Sequence, residues 1–447
     1  MTARTTALIL VVLDSVAAVA VFNFISVARG LTVGSHLIIA PLTVPVAAFG
    51  LAIYLVQGYR PRTDMLSVDY ASQHAIATLV AMCATLLITF VVFPAGYELQ
   101  SSRFAIALTF IALIPLSLGY RRLFYLRSIE QQGTRPIVFV GDQRNFDAFA
   151  IECTTMGVAQ QLIHADPEAG GETATPFPEL LRNIASGKTT VEAIVLRESS
   201  RELPPEVSQQ LIRFYFDGVP TYTLELFHEI YWQKIPLYRL NQTWLFQEGF
   251  QIAREPVFER AKRAADMILA VFGLVLAAPI VLAAALAIWI EDRGPVFFSQ
   301  NRIGLNHVPF RLFKLRTMRA HITGDRYTQP GDARITRVGG FLRKSRIDEF
   351  PQLWNVLRGD MSLIGPRAEW DRLVGEYEAY IPCYHFRHLV RPGITGWAQV
   401  NYPYGASMAD TLRKLEYDLY YIRHFSFRLD ATIVLKTVHI MLFGKGR

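Results

Sequence analysis

Charge is scarce in this 447-residue chain: 19% of residues are Asp, Glu, Lys or Arg, against 51% hydrophobic. With a mean hydropathy of +0.24, that balance excludes intrinsic disorder and is too apolar for an ordinary soluble protein. Cysteine is scarcer still. Cys83, Cys153 and Cys383 lie far apart, which argues against a disulfide scaffold. Cys383 has His385 and His388 close by but no second cysteine, a poor start for a structural zinc site. No small-residue cleavage site follows the first apolar stretch, which therefore reads as a retained helix and not a signal peptide. What remains is an integral membrane protein whose water-exposed parts face a reducing compartment.

The charge that is present gathers late. Residues 291–447 hold 24 Lys+Arg and 15 Asp+Glu, whereas the preceding residues hold 21 and 23. A basic unit in a membrane protein suits anionic lipid headgroups or a phosphorylated substrate, and nucleic acid is not expected. The length allows two or three units, each with its own core. Oligomerisation is compatible with the sequence.

Four apolar stretches, residues 7–28, 37–56, 75–93 and 104–118, predict a helical N-terminal transmembrane bundle over 1–128. Arg4, then Arg60 and Arg62, then Arg121, Arg122 and Arg127 mark one side, against Arg29 and Arg103 on the other. The side rich in arginine is expected to be cytoplasmic. A fifth stretch, 267–290, is flanked by Lys262 and Arg263 before it and Arg293 after it, with Pro279 near its middle. Basic flanks at both ends and a helix-breaking proline predict a re-entrant hairpin that returns to the cytoplasmic face. A plain fifth span is the alternative.

Residues 129–250 change character. Residues 136–140, 191–196 and 219–223 read as short strands with helical patterns between them, which predicts a parallel, nucleotide-fold-like α/β domain. After Gly141 come Asp142, Gln143, Arg144 and Asn145, so the glycine fingerprint of a dinucleotide site fails. The domain is read as a degenerate Rossmann-like unit.

Residues 255–447 carry the chemistry, in an expected mixed α/β domain. Alternation along 310–318 puts Lys314 and Arg316 on one face of a strand, as an anion clamp. In 343–351, three cations precede the adjacent carboxylates Asp348 and Glu349. Ser345 and Asp348 fit a helix-capping pattern, and a helix start favours phosphate. One carboxylate can then face phosphorus while the other holds Mg²⁺. Leu363–Arg367 forms a tight turn aiming Arg367 inward, and Gly393 and Gly396 permit close backbone approach to a ligand or the membrane.

Here the chain resembles a known family. From Lys262 onward it is similar to the bacterial sugar transferases, the monotopic phosphoglycosyl transferases, in 262–266, 295–304, 310–318, 331–336, 343–365 and 391–400. With four N-terminal spans and a degenerate nucleotide fold it resembles their long members, the polyisoprenyl-phosphate hexose-1-phosphate transferases. The resemblance implies transfer of a hexose-1-phosphate from a UDP-hexose to undecaprenyl phosphate, releasing UMP, on the cytoplasmic face of the bacterial inner membrane. It implies Asp348 as nucleophile, Glu349 as Mg²⁺ ligand, and Lys314 and Arg343 as phosphate-binding groups, with Arg316, Arg334 and Arg367 as further cations. Asp266 and Pro279 belong to the hairpin element, and membrane lipids are implied partners. The sequence departs from the pattern at His307, where glycine is usual, and at Ala368, where proline is usual.

Two other functions compete. A membrane-anchored nucleotide-sugar dehydratase would need the glycine fingerprint and a Tyr-x-x-x-Lys pair that the chain lacks. A non-enzymatic scaffold of a polysaccharide assembly complex would leave the cationic Asp-Glu cluster without a task.

Overall fold

Three of the four N-terminal apolar stretches become helices long enough to cross a bilayer. In the computed structural model these are α1 (Ala3–Ala28), α3 (Val68–Leu87, continued by a π-helical turn over Ile88–Val92) and α4 (Arg103–Gln132). The structure describes residues 3–30, 37–60, 63–92, 103–132, 135–158, 160–165, 177–197, 205–237, 256–319, 332–403, 405 and 407–443. Arg62, Gly331 and residues 238–250 of the middle segment lie outside these. The second stretch is shorter than expected: a 3₁₀ turn over Ala40–Leu42 leads into α2 (Thr43–Leu55), and the two together fall short of the ~20 residues a straight span needs. The four helices pack on one another, α1 against α2 and α4, and α3 against α2 and α4.

Arg121 corrects the reading of the basic flank. It is not a loop charge but lies fully buried in α4, where Nη1 donates to Asp14 Oδ1 of α1 at 2.7 Å. Tyr59 also donates its hydroxyl to Asp14. An ion pair so placed is paired within the protein, as a low-dielectric surrounding demands.

The middle domain has the expected parallel sheet. Strands β1 (Ile137–Val140), β2 (Leu162–Ala165), β3 (Ala193–Leu196) and β4 (Thr221–Thr223) lie in the order β2-β1-β3-β4. Alternate residues of β1 face opposite cores. Val138 and Val140 meet α6 (Phe177–Ala185) and α7 (Pro205–Phe216) through Leu180, Leu181, Leu211 and Phe214. Ile137 and Phe139 meet α5 (Gln143–Thr155) and the short α8 (Leu224–Phe227) through Phe149, Cys153 and Phe227. At the β1–α5 turn Asp142 accepts from Asn145 N at 2.9 Å, capping α5, and pairs with Arg197 after β3. The carboxyl ends of β1 and β3 are thus bridged by the protein's own charges.

The fifth apolar stretch is one helix, α9 (Pro256–Asp292), with Pro279 inside it. The expected break at the proline is absent. At ~1.5 Å per residue such a helix is about 55 Å long, well beyond the ~30 Å of hydrocarbon. Its buried residues Lys262, Asp266, Ala270, Ala277, Ala284 and Ile288 fall on one stripe, which lies along the C-terminal domain. Ala270 joins Phe310, Leu312 and Val356, while Ala284 and Ile288 join Leu315 and Leu342.

That domain opens with the antiparallel hairpin β5 (Phe297–Ile303) and β6 (Pro309–Leu315), followed by α10 (Arg337–Ser345) and α11 (Gln352–Arg358). The parallel pair β7 (Ser362–Ile364) and β8 (Gly393–Thr395) frames α12 (Asp371–Tyr380). Helices α13 (Trp397–Asn401), α14 (Met408–Arg423) and α15 (Phe427–Phe443) complete it. Its core holds Tyr384, Trp397, Tyr421 and Ile433, and also Ile235 and Leu237 from the end of the middle domain. Ile235 N donates to Glu416 O at 3.0 Å, and Trp397 Nε1 donates to Gln233 O at 2.9 Å. α15 packs in turn on α2 and α3, where Ser72 Oγ and His439 Nδ1 are 2.9 Å apart.

Candidate active site

Asp348 and Glu349 do not start a helix. They sit in a 3₁₀ turn, Ile347–Glu349, between α10 and α11. Ser345 is the last residue of α10 and donates its hydroxyl back to Phe341 O at 2.9 Å, so it caps nothing ahead of it. Arg346, at φ 60°, turns the chain through the left-handed region and sets the carboxylates facing β6. Pro351 stands at the start of α11, where its missing N–H does no harm.

Both carboxylates are buried, and their surroundings differ. Around Glu349 Oε1 stand Lys314 Nζ at 3.5 Å, Arg367 Nη1 at 3.7 Å and Arg346 Nη1 at 3.8 Å. Burial alone would raise the Glu349 carboxyl, but Lys314, Arg367 and Arg346 outweigh it and hold it below its ordinary range. For Asp348, burial and then the Glu349 charge prevail over Lys314, Arg343 and Arg346, and the carboxyl is raised. Its Oδ1 is enclosed and has no hydrogen-bond partner. Burial also lowers the Lys314 ammonium despite Glu349.

Of the residues the sequence nominated, Lys314, Arg343 and Arg367 therefore gather at the pair. Arg343, on the last turn of α10, also donates Nε to Thr317 Oγ1 at 2.9 Å. Arg316 shares the buried face with Lys314 but is no second finger of a clamp: its Nη1 lies 3.0 Å from Asp292 Oδ2 at the end of α9. Gly294 lets it pass, since a Cβ there would overlap the guanidinium. Arg334 is held by Asp332, with Nε 2.9 Å from Oδ1 and Nη2 2.6 Å from Oδ2. Asp266 is an anchor, accepting from Ser362 Oγ at 2.7 Å and Leu363 N at 3.3 Å. Arg346 is one of the three cations before the pair, and the sequence reading assigned it no role of its own. Its signal was its place beside Asp348, but only the left-handed backbone brings its side chain to Glu349.

The glycines of the last two motifs serve each other. A Cβ on Gly393 or on Gly396 would overlap the backbone of Gly365, and one on Gly365 would overlap Arg391 O. They allow β7 and β8 to close up, which corrects the expectation that they meet a ligand or the membrane. The chemistry thus concentrates in one buried pair: one carboxylate lowered by the cations around it, the other raised by burial with its Oδ1 unpartnered, in an arrangement fit for a phosphorylated ligand.

The bacterial sugar transferase family matches residues 257–444, which contain every element of this site. Curated relatives agree. A UDP-N-acetylgalactosamine-undecaprenyl-phosphate N-acetylgalactosaminephosphotransferase of Aeromonas hydrophila is 40% identical over 262 residues, covering 58% of this chain and 61% of that protein. That alignment is too long for the family region alone and takes in part of the middle domain. A UDP-glucose:undecaprenyl-phosphate glucose-1-phosphate transferase of Caulobacter vibrioides is 45% identical over 185 residues, covering 40% of this chain and 69% of its own length. An exopolysaccharide production protein of Rhizobium leguminosarum is 41% identical over 194 residues, covering 41% of this chain and 97% of that protein. The chain belongs to the bacterial sugar transferase family. It spans about three fifths of the length of the Aeromonas relative.

Proposed function

We propose that this protein transfers a hexose-1-phosphate from a UDP-hexose to undecaprenyl phosphate, giving undecaprenyl-diphospho-hexose and UMP, as the initiating step of exopolysaccharide or capsule synthesis. The observation that carries the reading is the unpartnered, buried Asp348 beside a Glu349 ringed by Lys314, Arg346 and Arg367, in a chain of this family.

Asp348 attacks the phosphorus that bears the sugar. Its oxygen bonds to that phosphorus as the bridging bond to UMP breaks, and UMP leaves with the bridging oxygen. An oxygen of undecaprenyl phosphate then attacks the same phosphorus, the Asp348–phosphorus linkage breaks, and the carboxylate returns. Lys314, Arg343 and Arg367 neutralise phosphate charge during both displacements. The donor set also fits Mg²⁺. Asp348 Oδ1 is buried without a partner, and Lys314, Arg367 and Arg346 stand 3.5, 3.7 and 3.8 Å from Glu349 Oε1. Glu349 would hold the ion, which when bound neutralises charge on the diphosphate.

The same reading places the N-terminal helices in the inner membrane as a four-helix bundle, with the catalytic domain on the cytoplasmic face. α9 keeps both ends on that face and dips its exposed apolar side into the membrane, bending at Pro279 where the expected hairpin would have broken. Both ends of α9 are tied to one domain, Lys262 to Asp430 of α15 and Glu291 Oε1 to Arg337 N of α10 at 2.8 Å, which supports a common side. Pro279 lies on the exposed face, about 200° around the helix from Ala277. Its clash with the preceding turn favours bending toward the packed face.

The test is UMP release by the purified protein with undecaprenyl phosphate, Mg²⁺ and a panel of UDP-glucose, UDP-galactose and UDP-N-acetylgalactosamine. Release that requires the lipid and disappears in Asp348→Asn supports the reading. Failure with every UDP-sugar would return the scaffold alternative to first place.

A further inference from the structure

At the closed end of the β5–β6 hairpin, three side chains from three separate elements converge, and the chemistry above uses none of them. His307 sits in the hairpin turn, Glu378 on α12, and His388 in the 3₁₀ turns over Tyr384–Leu389. One nitrogen of each ring and one carboxylate oxygen all lie within 4.8 Å of one another. His307 Nδ1 and Glu378 Oε1 are 3.4 Å apart. That is close to the spacing of two ligands on one tetrahedral ion with bonds of about 2.0–2.1 Å. The two histidine rings stand 4.6 Å apart and inclined by 51°, so they are not stacked for packing alone.

An independent observation comes from His388. It is 5% exposed, and its Nε2 has no hydrogen-bond partner. A buried imidazole nitrogen left without a partner is unfavourable unless something binds it. His307, at φ 63°, follows the left-handed Asn306 in the hairpin turn, so the turn itself sets the place of its ring.

We propose that His307, Glu378 and His388 form a site for a divalent transition metal, best matched by Zn²⁺, that staples the hairpin tip to α12 and the Tyr384–Leu389 turns. Two imidazoles and one carboxylate select a borderline-soft ion over Mg²⁺, so the site is chemically distinct from the Asp348–Glu349 pair. The staple bears on the active site through one neighbour. Arg387 donates to Arg367 O at 2.9 Å and to Asp418 at 3.0 Å, and Arg367 faces Glu349.

The experiment uses the full-length protein in detergent, stripped with chelator and titrated with Zn²⁺ alone, reading bound metal by elemental analysis and the unfolding midpoint. The comparison is His307→Gly, which suits the left-handed backbone and keeps the turn, together with Glu378→Gln. Wild type is expected to take up one Zn²⁺ per chain and to unfold at a higher temperature with it. Both variants are expected to bind at least tenfold more weakly and to lose the thermal shift, while Mg²⁺ produces no shift that His307→Gly removes. Absence of Zn²⁺ uptake by wild type, or uptake and shift unchanged in His307→Gly, overturns the site.

Discussion

Asp348 and Glu349 are adjacent in the chain, yet Glu349 Oε1 has Lys314 Nζ at 3.5 Å while Asp348 Oδ1 has no hydrogen-bond partner. The 3₁₀ turn separates their directions, and burial makes the difference count.

The first prediction follows for Asp348→Asn. A carboxyl raised in the folded state binds its proton more tightly there than when unfolded. The folded state is therefore disfavoured as pH rises above the unfolded value, and the penalty persists at neutral pH. Removing the charge is expected to abolish transfer while leaving the neutral-pH unfolding midpoint equal or higher. Loss of turnover with a lower midpoint would mean that the aspartate is structural. Turnover near wild type would remove the covalent mechanism.

Glu349 has the opposite sign. Its carboxyl is lowered, so it contributes stability present above the unfolded value and lost as pH falls through the folded one. Glu349→Gln is expected to flatten the acid side of the stability profile. It is also expected to raise the Mg²⁺ concentration for half-maximal activity by about tenfold or more. An unchanged metal titration removes Glu349 as a ligand.

How the catalytic domain depends on the middle domain was not legible in the sequence. The apolar residues Ile235 and Leu237 look like any strand fragment, and only the fold inserts them beside Trp397 and Tyr384. Strands β1, β3 and β4 were legible because they are β-branched or aromatic runs between turn residues. β2 was not, since Leu162–Ala165 is short, interrupted by His164 and mostly half-buried. The cations around Glu349 were legible as a group, but the pairing of Arg316 with Asp292 joins distant segments that no local pattern links. The same holds for His307, Glu378 and His388, whose sequence spacing resembles no metal motif.

Ile235→Ala tests that dependence. Ile235 is fully buried, and the cavity it leaves is expected to cost about 2–5 kcal/mol, read as a lower unfolding midpoint and faster loss of activity on heating. A chain beginning near residue 255 lacks Ile235 and Leu237 altogether and is expected to be less stable still. Midpoints equal to wild type in both would show that the 233–237 segment is dispensable.

The course of α9 is checked by single cysteines at Val257 and Phe297, both exposed, in a chain whose three native cysteines are replaced. Both are expected to react with an impermeant reagent only from the cytoplasmic side. Labelling of the Phe297 position from outside would make α9 a plain span and separate the active site from its nucleotide sugar.

The closure of β7 on β8 has a consequence at the level of the codon. Every single-base missense change in a glycine codon adds at least a Cβ, and at Gly365, Gly393 and Gly396 that one carbon collides with backbone that cannot rotate aside. No neighbouring codon offers a partial solution. These three positions are therefore expected to tolerate only synonymous changes in any mutational scan, even though none of them touches a substrate in the proposed reaction.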